Sequence, residues 1–223
     1  MNKELPLQIA DTTLLLLADK AIYWSQQKAL LVADVHFGKA AAYRAQGLPV
    51  PQGTTTLNLQ RLDTLLSRYD CEQIIFLGDF LHAPESHAPA TLAALRAWRQ
   101  RHTGLKCVLI RGNHDIRAGD PPDYLNIEMV TEPLLMGALV LRHTPAPHAT
   151  HHVIAGHVHP VFHLRGKGRQ HIRLPCFHHQ PALTLMPAFG DFTGGYQVET
   201  VDPNKGVKIS VTDGSGIWAV VQA

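Results

Sequence analysis

The feature that most constrains this chain is a recurring local order. A short run of apolar residues stops abruptly at a polar residue able to bind a metal ion. Ala29-Leu30-Leu31-Val32-Ala33 stops at Asp34-Val35-His36, and Ile74-Ile75-Phe76-Leu77 stops at Gly78-Asp79. Cys107-Val108-Leu109-Ile110 passes through Arg111 to Gly112-Asn113-His114-Asp115. Ala138-Leu139-Val140-Leu141 leads through Arg142 to His143, and Val153-Ile154-Ala155 stops at Gly156-His157-Val158-His159. Runs of this size, rich in branched side chains, read as buried strands.

Helical spacing appears between some of them. Leu59, Leu62, Leu65, Leu66 and Tyr69 follow a start signal at Thr54-Thr55-Thr56, and Leu92, Leu95 and Trp98 follow Pro89. Strands alternating with helices give βαβ units, whose sites form at the carboxyl ends of the strands. Five polar motifs at five such ends are therefore expected to converge. The opening runs Leu14–Leu17, Ala21–Trp24 and Ala29–Ala33 read as strands joined by short turns. After Pro160 the pieces Ala182–Met186, Val207–Val211 and Ile217–Val221 show no helical period between them and read as a second sheet packed on the first.

The residue types suit metal chemistry. Asp34 and His36 are two apart, so an extended backbone sends a carboxylate and an imidazole to one side; His157 and His159 repeat the device. Asp79 has two oxygens and can bridge two cations. Asn113 offers a neutral oxygen, and Gly112 before it suggests a backbone conformation that a side chain would penalise. Fifteen histidines stand against eighteen Asp plus Glu, and neutral imidazole is the commonest metal ligand. Taken singly, the carboxylates also read as turn or cap residues, and the histidines as ordinary core or surface imidazoles. His148, His151 and His152 lie near His143, but His143 directly follows a strand, whereas they read as solvated loop residues. His163, His171, His178 and His179 are candidates for the far lip of the site.

Other classes recede on simple counts. Three scattered cysteines with no C-x-x-C spacing exclude a disulfide scaffold and a thiolate zinc site. No apolar run approaches the ~18 residues of a membrane span. The Leu14–Ala18 run is too short for a signal segment, so a soluble cytoplasmic protein of one domain, residues 1–223, is expected. A net charge of +2 permits an anionic partner without demanding one.

The order D-x-H, G-D, G-N-H-D, H, G-H-x-H, from Asp34 to His159, resembles that of the calcineurin-like metallophosphoesterases. The resemblance implies a four-layer α/β/β/α sandwich of two mixed β-sheets flanked by helices, with a binuclear metal site at the carboxyl ends of strands. One divalent ion would take Asp34, His36, Asp79 and His159; the other would take Asp79, Asn113, His143 and His157. His114 matches the family's catalytic histidine and Asp115 the residue that orients it.

A narrower likeness lies in the flanks. Ala21-Ile22-Tyr23-Trp24, Asp34-Val35-His36-Phe37-Gly38-Lys39 and Leu185-Met186-Pro187-Ala188-Phe189-Gly190-Asp191-Phe192-Thr193-Gly194-Gly195 are similar to segments of the bacterial DNA-ligase-associated metallophosphoesterases. That subgroup implies a manganese-dependent phosphodiesterase or endonuclease, acting on DNA in the damage response beside a ligase, a helicase and an exonuclease. The chain departs from it at His143-Thr144-Pro145, where His-Glu-Pro is expected.

An oxygen and nitrogen ligand set without thiolate suits manganese, iron or zinc, and manganese is expected. Two cations about 4 Å apart would hold a bridging hydroxide and polarise a phosphoryl oxygen, with His114 giving the leaving group its proton. His82, in Gly78-Asp79-Phe80-Leu81-His82, resembles the G-D-x-x-H segment of the Mre11-type nucleases. It reads equally as a phosphate or leaving-group contact and as a loop histidine. Arg165, Lys167, Arg169 and Arg173 read as a solvated hairpin or, less favoured, as a track for a nucleic-acid backbone. Arg96, Arg99 and Arg101 read as the wet face of a helix, and Lys39 as a phosphate contact. Two rivals to DNA cleavage are hydrolysis of a small nucleotide diester or phosphomonoester, and a metal-free protein-binding scaffold.

Overall fold

The computed structural model describes residues 2–51, 53–166, 168, 170–198 and 201–221. Its first sheet takes β1 (Glu4–Ile9), β2 (Thr12–Leu17), β3 (Ile22–Trp24), β4 (Ala29–Val32), β5 (Gln73–Leu77), β6 (Lys106–Ile110) and β7 (Ile127–Val130) in sequential order. The β1–β4 part is an antiparallel meander, and β4 to β7 run parallel. Helices α1 (Lys39–Ala45), α2 (Thr54–Arg68), α3 (Pro89–Arg101) and α4 (Asn113–Ala118) make the crossovers that parallel pairing requires.

The second sheet contains β8 (Leu134–Met136), β9 (Leu139–Arg142), β10 (His152–Ala155), β11 (Pro160–Arg165), β12 (His171–Gln180), β13 (Leu183–Leu185) and β14 (Tyr196–Gln197), with β15 (Lys208–Thr212) and β16 (Ile217–Ala219) attached through β12. It is also mixed: β9–β10 and β10–β13 are parallel, and β11–β12 and β12–β13 antiparallel. The second sheet thus begins at Leu134, earlier than the change of pattern after Pro160 suggests. The His143 and His157 segments belong to it, because β9 and β10 pair directly without an intervening helix.

Two apolar layers hold the sandwich together. Leu59, Leu62 and Leu65 of α2 and Leu95 and Trp98 of α3 pack on Leu30, Val32, Ile74, Phe76, Cys107 and Leu109. The opposite faces of the same strands, through Leu31, Ile75, Leu77, Val108 and Ile110, pack on Leu139, Leu141, Ile154, Phe177 and Met186 of the second sheet. Strands β4 to β6 are therefore buried on both faces, which is why they read as continuous apolar runs. The two mixed sheets flanked by helices are as expected. All the α-helices among the described residues precede β7, so that flank lies on the first sheet.

Three readings need correction. Arg99 is buried, and its guanidinium donates to the carbonyls of Leu125, Leu105 and His102, so only Arg96 and Arg101 face water. His152 is buried in β10, bonded to the Pro181 carbonyl and Thr184 Oγ1, rather than solvated. His179 stacks on His152 and shares Thr184 Oγ1. Of the basic stretch, Arg165 is exposed on the β11–β12 hairpin, while Lys167 and Arg169 lie outside the described residues.

Candidate metal centre

The ends of β4, β5, β6, β9 and β10 lead into loops that are laced to one another. The N–H of His36 donates to Asp79 O at 2.9 Å, that of Asp34 to Gly78 O at 3.3 Å and that of Gly190 to Asp34 O at 3.1 Å. Asp34 fixes one carboxylate oxygen on the His157 N–H at 2.8 Å, and Asp79 fixes one on the His114 N–H at 2.9 Å. Half of the non-glycine residues with positive φ among the described residues are Asp34, His36, Asp79, His157 and His159, with φ between 48° and 70°. Each such conformation costs of order 1–3 kcal/mol and persists only where the surroundings enforce it.

Two groups of possible ligands contain a carboxylate, Asp34–His36–His159 and Asp79–His143–His157, and His36 forms a third with His82 and His114; the ligand atoms of each lie within 4.8 Å of one another. Asp34 Oδ1, His36 Nε2 and His159 Nε2 are all buried and have no hydrogen-bond partner. Buried polar atoms are rarely left so. In the second group the His143 Nδ1–H donates to Leu77 O at 3.0 Å, which leaves Nε2 as an acceptor. That nitrogen faces Asn113 Oδ1 at 3.0 Å, His157 Nδ1 at 3.0 Å and Asp79 Oδ1 at 3.4 Å. Lone pairs crowded at these distances fit a cation. Asp79 joins the groups, for its Oδ2 is 3.7 Å from His36 Nε2 while its Oδ1 faces His143.

Electrostatics point the same way. Burial, with Lys39 and the neighbouring histidines, holds the His36 imidazole far below its ordinary pKa, and burial also lowers His157 and His82, the latter to about 4. These rings are neutral and available as ligands at pH 7. Burial lowers Lys39 too, against the pull of Asp79 and Asp34.

His114 lies in the first turn of α4 with its Nδ1 2.7 Å from the His82 carbonyl, so Nδ1–H donates there and Nε2 faces Asp79 Oδ2 at 4.0 Å. Asp115 does not touch that ring. Its carboxylate accepts the N–H groups of Leu81 and Gly112, both at 2.9 Å, and so ties α4 to the Asp79 loop. The orienting contact is the His82 carbonyl. The His82 ring stacks on His114 at 4.7 Å and lies edge-on to His36 at 5.1 Å. Gly112 has an ordinary extended φ of −96°, contrary to the conformational reading. It is glycine because a Cβ would lie 2.3 Å from Asp79 Oδ1.

Two supports escaped the sequence. Ser86 Oγ accepts the N–H groups of His82 and Ala83. Glu132 accepts those of His143 and Thr144 at 2.8 and 2.9 Å, so a carboxylate reaches this turn although Thr144 stands where Glu was expected. Neither carries a local signal.

A profile of the calcineurin-like phosphoesterases matches residues 28–180, which span every strand end described above. The chain belongs to that family. It is also similar to the Pseudomonas putida nuclease MPE, with 49% identity, a TM-score of 0.85, and 97% of this chain and 100% of that one covered. An Aquifex aeolicus protein of unknown function, AQ665, matches at 18% identity over 63% of this chain and 82% of its own, with a TM-score of 0.40. No curated protein matches. The chain is a metal-dependent phosphoric ester hydrolase. Among the described residues no helix is long and apolar enough to cross a membrane.

Proposed function

We propose that the protein is a cytoplasmic, manganese-dependent phosphodiesterase that cleaves DNA endonucleolytically, in the damage response beside a ligase, a helicase and an exonuclease. The observation that carries diester cleavage is the fixed orientation of His114. With Nδ1 tied to the His82 carbonyl, its Nε2 points into the centre. A diester's alkoxide leaving group needs a proton, and His114 can give one from Nε2 when it carries a second proton as the imidazolium, its Nδ1–H staying on the carbonyl. The 49% identity to a nuclease over nearly the whole chain supports a nucleic acid as the polymer.

Asp34, His36, Asp79 and His159 would hold one ion, and Asp79, Asn113, His143 and His157 the other. When bound, such ions supply Lewis acidity and an activated water. The protein's own part is to hold the His36 and His157 rings neutral, to keep Asp79 between the two groups and to aim His114. His82 presents its carbonyl to His114 and its ring to the same space, within reach of a substrate oxygen. Lys39, partly buried behind His36, adds positive charge for a phosphate.

Manganese-loaded protein is tested on single-stranded DNA, duplex DNA, an aryl phosphodiester and an aryl monophosphate, with Asp79→Ala as control. Cleavage of DNA and of the diester is expected, and both are lost in the control. Turnover of the monoester alone would sink the nuclease reading.

A further inference from the structure

Beside the metal centre, with His159 in its wall, lies a recess of about 70 Å³. That is room for about two waters or one phosphate group. Its walls include Lys20, Arg173, Thr193 and the backbone of Gly194. Lys20 reaches it from the turn between β2 and β3, buried and in a left-handed conformation with φ 66°. Arg173 comes from β12, opposite His163 in the hairpin register. Its guanidinium lies over Gly195, where a Cβ would be 2.4 Å from Arg173 Nη2, 2.5 Å from Val161 Cγ1 and 3.0 Å from His159 O. A side chain at position 195 would thus press on both the arginine and the ligand loop.

Cations outnumber carboxylates at the recess: Asp191 is 3.4 Å from Lys20 Nζ and 3.6 Å from Arg61, Asp19 acts on both cations but also pairs with Arg68, and Arg173 adds a further positive charge. Two aromatic side chains flank the same loop. Phe192 is half exposed at φ 58°, an uncommon conformation for a bulky residue, and Tyr196 is 69% exposed with its N–H on the His159 carbonyl at 3.1 Å. Cations that meet phosphates, next to exposed rings on which bases stack, are how proteins hold single strands.

We propose that the Lys20–Arg173 recess seats a non-scissile phosphate of the DNA strand being cut, with Phe192 and Tyr196 as the platform for the adjoining bases. The proposal rests on the nuclease reading and specifies where the substrate strand leaves the centre. A small diester does not extend beyond His159, so the recess raises the preference for polymer over small diester.

The test is the ratio of kcat/KM for a single-stranded oligonucleotide to kcat/KM for an aryl phosphodiester, in manganese, for the wild type, Lys20→Met and Arg173→Gln. Arg173 is exposed, so its variant is the one secure against a folding defect. The ratio is expected to fall about tenfold in each, the worth of one charge-assisted hydrogen bond. The slope of log(kcat/KM) for DNA against log salt is expected to flatten by about 0.7 per charge removed. An unchanged ratio, whether both activities persist or both fall together, overturns the recess while leaving the nuclease reading standing. A wild type that cleaves the aryl diester but neither cleaves nor binds the oligonucleotide overturns both.

Discussion

At the residue scale the centre works through single atoms held in one state. His114 has one nitrogen on a carbonyl and the other facing Asp79. His114→Ala is expected to lower kcat on DNA by about 10²–10⁴-fold. The loss on an aryl diester, whose leaving group needs no proton, should be much smaller, and bound manganese should match the wild type by elemental analysis. Equal losses on both substrates would remove the proton-donor role. Gly112→Ala acts on a different atom. Its Cβ has to displace Asp79 Oδ1 from 2.3 Å, so both metal content and activity are expected to fall although no ligand has been changed. Retention of both ions by this variant would show that the loop yields without moving the carboxylate.

At the element scale the strands carry a second histidine cluster with a separate effect. His152 on β10 and His178 and His179 on β12 are held below the ordinary imidazole pKa by burial, His179 to about 4 with His152 and Lys208 contributing. For a base lowered on folding, the unfolded chain binds more protons between pH 6.5 and 4. Stability is therefore full above about pH 6.5 and is lost as pH falls through that window. After allowance for solvent screening of its partly exposed ring, His179 accounts for about 2 kcal/mol of this loss. Urea titrations in chelator at pH 7.5 and pH 5 are expected to differ by less in His179→Asn than in the wild type.

The strands also show what could be read from the sequence. Asp34, Asp79 and His143 were legible because a strand end is a local pattern of apolar residues followed by a polar stop. The His82 carbonyl and the Glu132 carboxylate were not, since contacts with distant backbone groups leave no trace in spacing. Arg99 escapes the sequence for a related reason: helical period reports which side a residue faces, and says nothing of three carbonyls waiting there. The helices on the first sheet were legible from their leucines. The allotment of β9 and β10 to the second sheet was not, because an apolar run does not reveal its neighbour.

At the scale of the whole molecule, the centre lies where loops from both sheets meet, so ions held there tie the sandwich together at one end. Manganese at a hundredfold its Kd is expected to add about 2.7 kcal/mol per site, a rise in Tm of roughly 5–10 °C for each ion bound to a chain of this length. The measurement is a thermal melt with and without chelator. The rise should disappear in Asp79→Ala, whose side chain faces both groups.

The left-handed backbone at Asp34, His36, Asp79, His157 and His159 has a consequence for descent. In the absence of ions these positions carry conformational strain and facing lone pairs, so glycine at His157 should make the metal-free protein more resistant to heat while ending catalysis. A lineage using this sandwich only to bind other proteins would have been free to drift toward such replacements, each an improvement by the measure of folding alone. That all five unfavourable residues stand together at the ligand groups argues against the scaffold alternative, since a metal-free scaffold has no use for strain gathered at one point and a metal centre has.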